Sequence, residues 1–308
     1  MTLSSIPAYI DFNSLEGDGI NECQRLFHGR GHAYAGLEHV SVDWLAPVVL
    51  ITLYKEETEI GLQSLAAELQ VRIPASASIQ VQYRCRAGAP TEVLLGDSIT
   101  ETIVNENGLK YHIQLGKSQN TGLFLDMRNG RDWVRHHAEG KRVLNLFSYT
   151  CAFSVAALAG GARHVVNFDN NKSVLKKGRD NHQLNRLDIR SAGFEQMNIL
   201  KSFGRIRKHG PYDLLICDPP SFQKGSVDIK QDYIRIIRRL PEFMAAESQL
   251  MLCLNSTVLT EEFLFDIVKE GCPGYQYVET ISTPAVYQET MPGRGLKVLI
   301  FEQKLPFE

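Results

Sequence analysis

Residues 141–169 read KRVLNLFSYTCAFSVAALAGGARHVVNFD. An apolar run at 143–146 breaks into small and polar residues. An Ala-rich stretch follows, Gly160-Gly161 interrupts it, and a second apolar run closes on Asp169. Short β-branched runs on either side of an Ala-rich, helix-length segment read as strand, helix, strand. The pattern then recurs. Residues 170–185 (NNKSVLKKGRDNHQLN) read as a helix, QMNIL at 196–200 as a third strand, 201–209 as a basic helix and loop, and the apolar run at 213–217 as a fourth strand. Such repetition predicts an α/β fold with a doubly wound, mostly parallel sheet.

The same segment constrains the ligand. Asp169 lies 24 residues beyond Asn145, close to the ~20-residue interval at which an acidic side chain in a Rossmann-like sheet meets a ribose hydroxyl pair. The dinucleotide fingerprint G-x-G-x-x-G is absent from the first turn, so nothing calls for a pyrophosphate at the helix N-terminus. A cofactor with a ribose and no phosphate fits, and S-adenosylmethionine is the expectation. Asp is also a favoured helix N-cap, so Asp169 can also cap the 170–185 helix, and the two roles can coexist. At Asn198 a side-chain carbonyl is available for an adenine amine; an ordinary loop Asn is the alternative.

A second cluster stands at Asp218-Pro219-Pro220-Ser221-Phe222, directly after the 213–217 run. Open α/β sheets bind ligands at the carboxyl ends of their strands. A carboxylate and prolyl carbonyls there can accept hydrogen bonds from a base edge, and Phe222 offers a ring for stacking, worth about 1–3 kcal/mol per base. A Pro-rich turn with a buried Phe accounts for the same residues without a ligand.

Three stretches together, TGLFLDMR at 121–128, NLFSYTCAFSVAALAGGA at 145–162 and DPPSF at 218–222, resemble the class I S-adenosylmethionine-dependent methyltransferases of bacterial large-subunit (23S) ribosomal RNA. The resemblance covers roughly residues 40–308. It implies cofactor contacts from Asn145, Phe147, Ser148, Tyr149, Thr150, Asp169, Asn198 and Asp218, with Asp218, Pro219, Pro220 and Phe222 facing the target base. That family contains both cytosine-C5 and guanine-N7 enzymes. The resemblance also implies that position 255 holds the nucleophilic Cys of the C5 members, and this chain has Asn255, as the N7 members do. Pyrimidine C5 has no lone pair and requires a thiolate to activate the ring. By strand spacing, Cys253 lies about 7 Å short of position 255, and Cys217 points to the opposite face from Asp218. The missing nucleophile favours a nitrogen acceptor over a carbon, and the resemblance implies guanine N7 over an exocyclic amine. A cytosine, another RNA, a small molecule, or a non-catalytic relative that only binds RNA or senses the cofactor are the alternatives. Two departures from the family pattern stand out. Cys151 replaces the Gly of F-S-Y-T-G, and Asn198 replaces a more usual Asp.

Charge is divided unevenly. The net charge is −2, but residues 1–116 hold 7 Lys+Arg against 14 Asp+Glu, whereas 117–308 hold 26 against 21. Such asymmetry points to RNA contact by the positive half. Arg128, Arg205, Arg207, Lys224 and Arg235, with Asn255, are the candidate substrate residues, although solvated helix faces carry similar clusters. The six cysteines are scattered without C-x-x-C or a neighbouring His at ligand spacing, so no metal is expected. No apolar window reaches the ~18–20 residues of a membrane span, and the N-terminus lacks a secretory pattern; the expected location is the cytoplasm. Upstream, strands at 39–45 and 48–54, a helix at 59–69, a strand at 78–84 and a hairpin turning at Asn107-Gly108 predict a smaller N-terminal α+β domain, residues 1–116. It is a possible RNA-binding or substrate-binding domain, ahead of a methyltransferase domain at 117–308. Oligomeric state is open.

Overall fold

In a computed structural model, which describes residues 1–220, 228–291 and 293–303, the chain divides into two compact units. One comprises Met1–Asp126 with Pro284–Pro292, the other Met127–Thr283 with Gly293–Glu308. The division falls later than the 116/117 boundary expected from composition, and residues 284–292 return to the first unit.

In the first unit, β1 (Gln24–His28), β2 (Val40–Leu45), β3 (Val48–Leu53), β4 (Ser78–Tyr83) and β5 (Thr91–Gly96) form one sheet in that order. Between β3 and β4 runs α1 (Glu59–Arg72), so β3 and β4 are parallel while the other pairs are antiparallel. The Thr58 side chain caps α1 by accepting from the Gly61 amide at 3.2 Å. Leu62, Leu65, Ala66 and Leu69 of α1, at helical spacing, are buried with Trp44, Phe27 and Ile51, the usual stripe of an amphipathic helix on a sheet. A separate hairpin, β6 (Glu101–Glu106) and β7 (Leu109–Gln114), turns at Asn107 and Gly108, both with positive φ, as an Asn-Gly turn favours.

The second unit begins with α2 (Arg128–His137) and continues as β8 (Arg142–Leu146), α3 (Ala152–Ala159), β9 (His164–Asp169), α4 (Lys172–Leu184) and β10 (Ala192–Gln196). The chain then runs through α5 (Phe203–His209), β11 (Tyr212–Cys217), α6 (Ile229–Ile237), β12 (Met244–Asn255), α7 (Glu261–Gly271), β13 (Tyr275–Thr280) and β14 (Leu296–Gln303). The third strand lies at 192–196 rather than at 196–200; Asn198 is beyond its end. The sheet order is β10-β9-β8-β11-β12-β14-β13, parallel throughout except that β14 runs antiparallel to both its neighbours. The order reverses between β8 and β11, the switch point at which such sheets bind ligands. One face buries Ile206, Tyr233, Ile236, Leu264 and Val268 from α5, α6 and α7. The opposite face buries Trp133, Val134, Phe153 and Ala157 from α2 and α3. Among the described residues no helix is long and apolar enough to cross a membrane.

Candidate active site

At the carboxyl end of β8 the chain turns through Phe147, Tyr149 and Cys151, all three left-handed at φ 57°, 46° and 59°. Non-glycine residues in this region cost on the order of 1–3 kcal/mol each and persist where the surroundings over-determine them. Here the surroundings are main-chain hydrogen bonds. The Ser148 amide donates to the Phe168 carbonyl at 3.0 Å and the Cys151 amide to the Ser148 carbonyl at 2.7 Å. The Tyr149 amide donates to the Asp169 carboxylate at 3.0 Å. From α4, the fully buried Asn181 side chain donates to the Thr150 carbonyl at 3.1 Å. Phe147 and Tyr149 keep part of their surface exposed, whereas Ser148 and Thr150 are buried.

Cys151 is fully buried, and desolvation pushes its thiol up to about 12. Its room comes from the next helix. A Cβ placed on Gly178 of α4 would lie 2.4 Å from the Cys151 sulfur, so the missing side chain at 178 accommodates the extra one at 151.

Asp169 ends β9. Its carboxylate accepts from the Tyr149 amide at 3.0 Å and the Asn171 amide at 2.9 Å, and it forms no ion pair among the described residues. Burial raises its pKa, against the lowering effect of main-chain donors at Asn171, Tyr149 and Asn170. The cap of α4 is Asn171, whose side chain accepts from the Ser173 amide at 2.9 Å. Asp169 is thereby relieved of the capping role and keeps acceptor capacity, since each carboxylate oxygen has more than one lone-pair direction. Asn198 lies exposed two residues past β10, and the preceding Met197 amide donates to the Asp169 carbonyl at 2.9 Å. An acceptor-only group with no cation, beside a fixed polar turn, fits a ribose hydroxyl pair.

Asn145 is otherwise placed. Its side chain is 2% exposed and donates to Asn167 on β9 at 2.9 Å. Asn167 in turn donates to the Ser154 hydroxyl at 3.0 Å, and Ser154 meets the His182 ring at 2.8 Å. This buried chain of polar groups ties β8, β9, α3 and α4 together beneath the turn, so Asn145 braces the sheet from inside rather than presenting its amide at the strand end. Strand alternation accounts for it, because Asn145 is in register with Asn167.

The second turn leaves the sheet beside the first. Cys217 is in register with Leu146 of β8, so Asp218 and Phe147 follow at the same level on adjacent strands. Asp218 and Pro220 are partly buried and Pro219 is buried; Phe222 and Lys224 lie outside the described residues. Tyr233, 1% exposed on α6, donates its hydroxyl to the Cys217 carbonyl at 3.0 Å and to the Cys253 carbonyl at 3.2 Å. One side chain thus holds the ends of β11 and β12 together just below Asp218. Asn255 is exposed at the end of β12. Cys217 packs into the core on the α6 and α7 face, with its pKa raised by burial, and Cys253 into the opposite core. Both are fully buried.

The basic residues expected to meet substrate are mostly engaged within the unit. Arg205 pairs with Glu195 at 2.9 Å, Arg207 with Glu242 at 3.8 Å and Arg235 with Asp232 at 2.7 Å. Arg128, half-buried, opens α2. Gly178, Asn181 and Tyr233 escaped sequence reasoning. A Gly inside a helical pattern is the one signal that marks such a close approach; Asn181 and Tyr233 read as ordinary helix residues.

The seven-stranded sheet, with its strained first turn and acidic second strand end, defines a Rossmann-like methyltransferase fold. The chain belongs to the S-adenosylmethionine-dependent methyltransferase family, whose model matches residues 24–302, and S-adenosylmethionine is its cofactor. It is similar to proteins named ribosomal RNA large subunit methyltransferase I. Identity is 33% over 194 residues with that of Erwinia tasmaniensis, covering 61% of this chain and 49% of the relative. It is 30% over 240 residues with that of Aeromonas salmonicida, covering 75% and 60%. The chain thus spans about half to three-fifths of the length of these relatives. Among solved structures, the methyltransferase SMU.776 complexed with SAH superposes with a TM-score of 0.86 at 24% identity, covering 98% of this chain and 82% of that one. A tRNA m1G37 methyltransferase of M. jannaschii gives 0.63 at 14%, covering 88% and 78%. At these identities both likenesses concern the fold.

Proposed function

We propose that the protein methylates an RNA base, most simply a guanine of large-subunit 23S ribosomal RNA at N7, in the cytoplasm. The observation that carries this reading is the level exit of the Phe147 and Asp218 turns from neighbouring strands, with the nearby thiols, Cys217 at the end of β11 and Cys151 in the first turn, both fully buried. Bound S-adenosylmethionine supplies an electrophilic methyl group on a sulfonium. The chain's own residues have then only to position the acceptor, since proximity and orientation alone are worth ~7–11 kcal/mol of barrier. Asp169 receives the ribose hydroxyls, and the 147–150 turn with Asn198 lines the rest of the cofactor cleft.

Asp218 and the carbonyls at the Pro219-Pro220 turn accept hydrogen bonds from the base. A carboxylate matches the adjacent N1–H and exocyclic amine of guanine's Watson–Crick edge, two donors where cytosine offers one amine. N7 lies on the far edge with its lone pair in plane. With the base held by Asp218 and the Pro219-Pro220 carbonyls, that pair would be presented to the methyl group, the electrons of the S–C bond staying with sulfur. No proton has to be removed and no covalent enzyme–base adduct is needed. Phe222 as a stacking platform belongs to the same proposal.

The test is transfer of labelled methyl to deproteinised large-subunit RNA and to assembled subunits, followed by nuclease digestion and mass spectrometry. 7-Methylguanosine is the expected product. 5-Methylcytidine would move the protein to the C5 branch. Labelling of neither, with SAH binding intact, would favour a different acceptor or a relative without turnover.

A further inference from the structure

In the first unit the parallel strand pair β3 and β4 ends with Leu53 in register with Tyr83, and Tyr54 and Arg84 leave the sheet side by side. The Arg84 guanidinium lies 5.6 Å from the Tyr54 ring centroid and donates to the Tyr54 hydroxyl at 3.2 Å, the Gln119 carbonyl at 2.6 Å and the Asn120 side chain at 2.9 Å. Arg30 stacks on the same ring, its guanidinium carbon 3.9 Å from the centroid. Lys55, exposed, follows in the chain. None of these three cations forms an ion pair among the described residues. The nearest carboxylates in sequence are committed elsewhere, Glu56 to Arg86 at 2.8 Å and Glu57 to His39 at 2.7 Å.

Arg30 is exposed, yet it stands on a rigid support. A Cβ on Gly29 would lie 1.8 Å from the Leu37 carbonyl oxygen, and one on Gly31 would lie 1.6 Å from that of Gln288. The Thr290 amide also donates to the Gly31 carbonyl at 2.9 Å. Both glycines are thus wedged against main chain, and the turn presents Arg30 in one orientation.

We propose that Arg30, Tyr54, Lys55 and Arg84 form a contact for single-stranded RNA in the first unit. Guanidinium planes already stacked on an aromatic ring present their outer faces to a base, and charge without a carboxylate partner is free to neutralise phosphate. The acidic half of the chain then contributes an electrostatic contact of its own. In the second unit Arg205, Arg207 and Arg235 spend their charge on Glu195, Glu242 and Asp232.

This inference rests on the RNA acceptor proposed above, and one experiment separates the two. Binding of a fluorescein-labelled mixed-sequence oligoribonucleotide and of deproteinised 23S ribosomal RNA to the full chain is followed by anisotropy across salt concentrations. SAH affinity serves as the check on folding. Arg30→Gln is expected to weaken binding of both probes roughly tenfold near 0.15 M salt and to flatten the logarithmic salt slope by about 0.7. Arg30→Gln combined with Lys55→Gln is expected to flatten it by about twice that, while Arg205→Gln leaves it unchanged. Wild-type slopes in both Gln variants, or loss confined to Arg205→Gln, would overturn the contact and leave the RNA substrate standing. Failure of the unaltered chain to bind either RNA, with SAH binding intact, would sink both proposals.

Discussion

The two turns that flank the switch point of the second unit are held by different means. The turn after β8 is fixed through its own main-chain groups, with the Asp169 and Asn181 side chains among their partners. Left-handed residues at 147, 149 and 151 shape it so that the Ser148, Tyr149 and Cys151 amides find the Phe168 carbonyl, the Asp169 carboxylate and the Ser148 carbonyl. The turn after β11 has Pro219 and Pro220, which carry no amide to donate, and it is steadied from below by the hydroxyl of Tyr233. A cofactor is the same in every turnover, so a site for it can be built from backbone geometry. On the proposed reading an acceptor base has to enter and leave at the second turn, where two prolines that donate no amide, above a buried side-chain brace, leave the strand end unclosed by a ladder.

Asp218→Ala is the sharpest cut between the two ends. On the proposed reading its main contact is with the base, so turnover should fall at least about 100-fold while SAH affinity stays within about twofold. Equal loss of both would merge the two sites and break the comparison. Asp169→Ala is the reverse case. It should weaken SAH binding by about 1.5–3 kcal/mol, the worth of hydrogen bonds to a charged group, as read by calorimetry. Unchanged affinity would remove Asp169 from the site.

The steric fit of Cys151 against Gly178 sharpens the account of the cofactor end. Gly178→Ala should destabilise the chain by about 1–3 kcal/mol, as overpacking does, and broaden or lower SAH binding. Cys151→Gly in the same chain should restore both. Alone, Cys151→Gly should leave SAH affinity unchanged, because Gly178 already makes the room; a gain in affinity would mean that the left-handed thiol residue is tolerated at a cost. Thermal melts with calorimetry on the four proteins decide between these.

Much of this site could be read from the chain before any fold was known. The period of apolar runs, the Gly-Gly stop and the interval from Asn145 to Asp169 suffice for the sheet and for a ribose-bearing cofactor. What could not be read is what depends on contacts between distant residues. Asn145 stood as a cofactor contact on the family resemblance, but its register with Asn167 points it inward. The basic clusters suggested nucleic acid because the fold, and not the local sequence pattern, brings Glu195, ten residues before Arg205, and Glu242 to them. The cap of α4 fell to Asn171 rather than Asp169 because the strand runs to Asp169 itself.

At the acceptor end two milder changes probe the brace and the chemistry separately. Tyr233→Phe leaves the Cys217 and Cys253 carbonyls without their shared donor, a loss on the order of 1–3 kcal/mol for buried groups. It should lower the rate of methyl transfer more than it weakens SAH binding, and a loss of SAH affinity as large as the loss of rate would show that the brace serves the whole sheet edge.

Cys253→Ser should have the smallest effect of all. The thiol is fully buried in the core beside Met251 and Ile300, on the face opposite Cys217, so a hydroxyl of similar size changes packing by little and chemistry not at all. Stability should drop by roughly 1 kcal/mol for a buried hydroxyl, with kcat within about twofold of the unaltered chain. If the acceptor were a cytosine carbon, a thiolate would have to add to the ring, and Cys253 is the closest thiol in sequence to the position the C5 enzymes use. Loss of turnover in Cys253→Ser, or a trapped adduct with RNA carrying 5-fluorocytosine, would therefore reverse the assignment. It would also require the end of β12 to open, because a sulfur held in the core cannot reach a base that rests on the Asp218 turn.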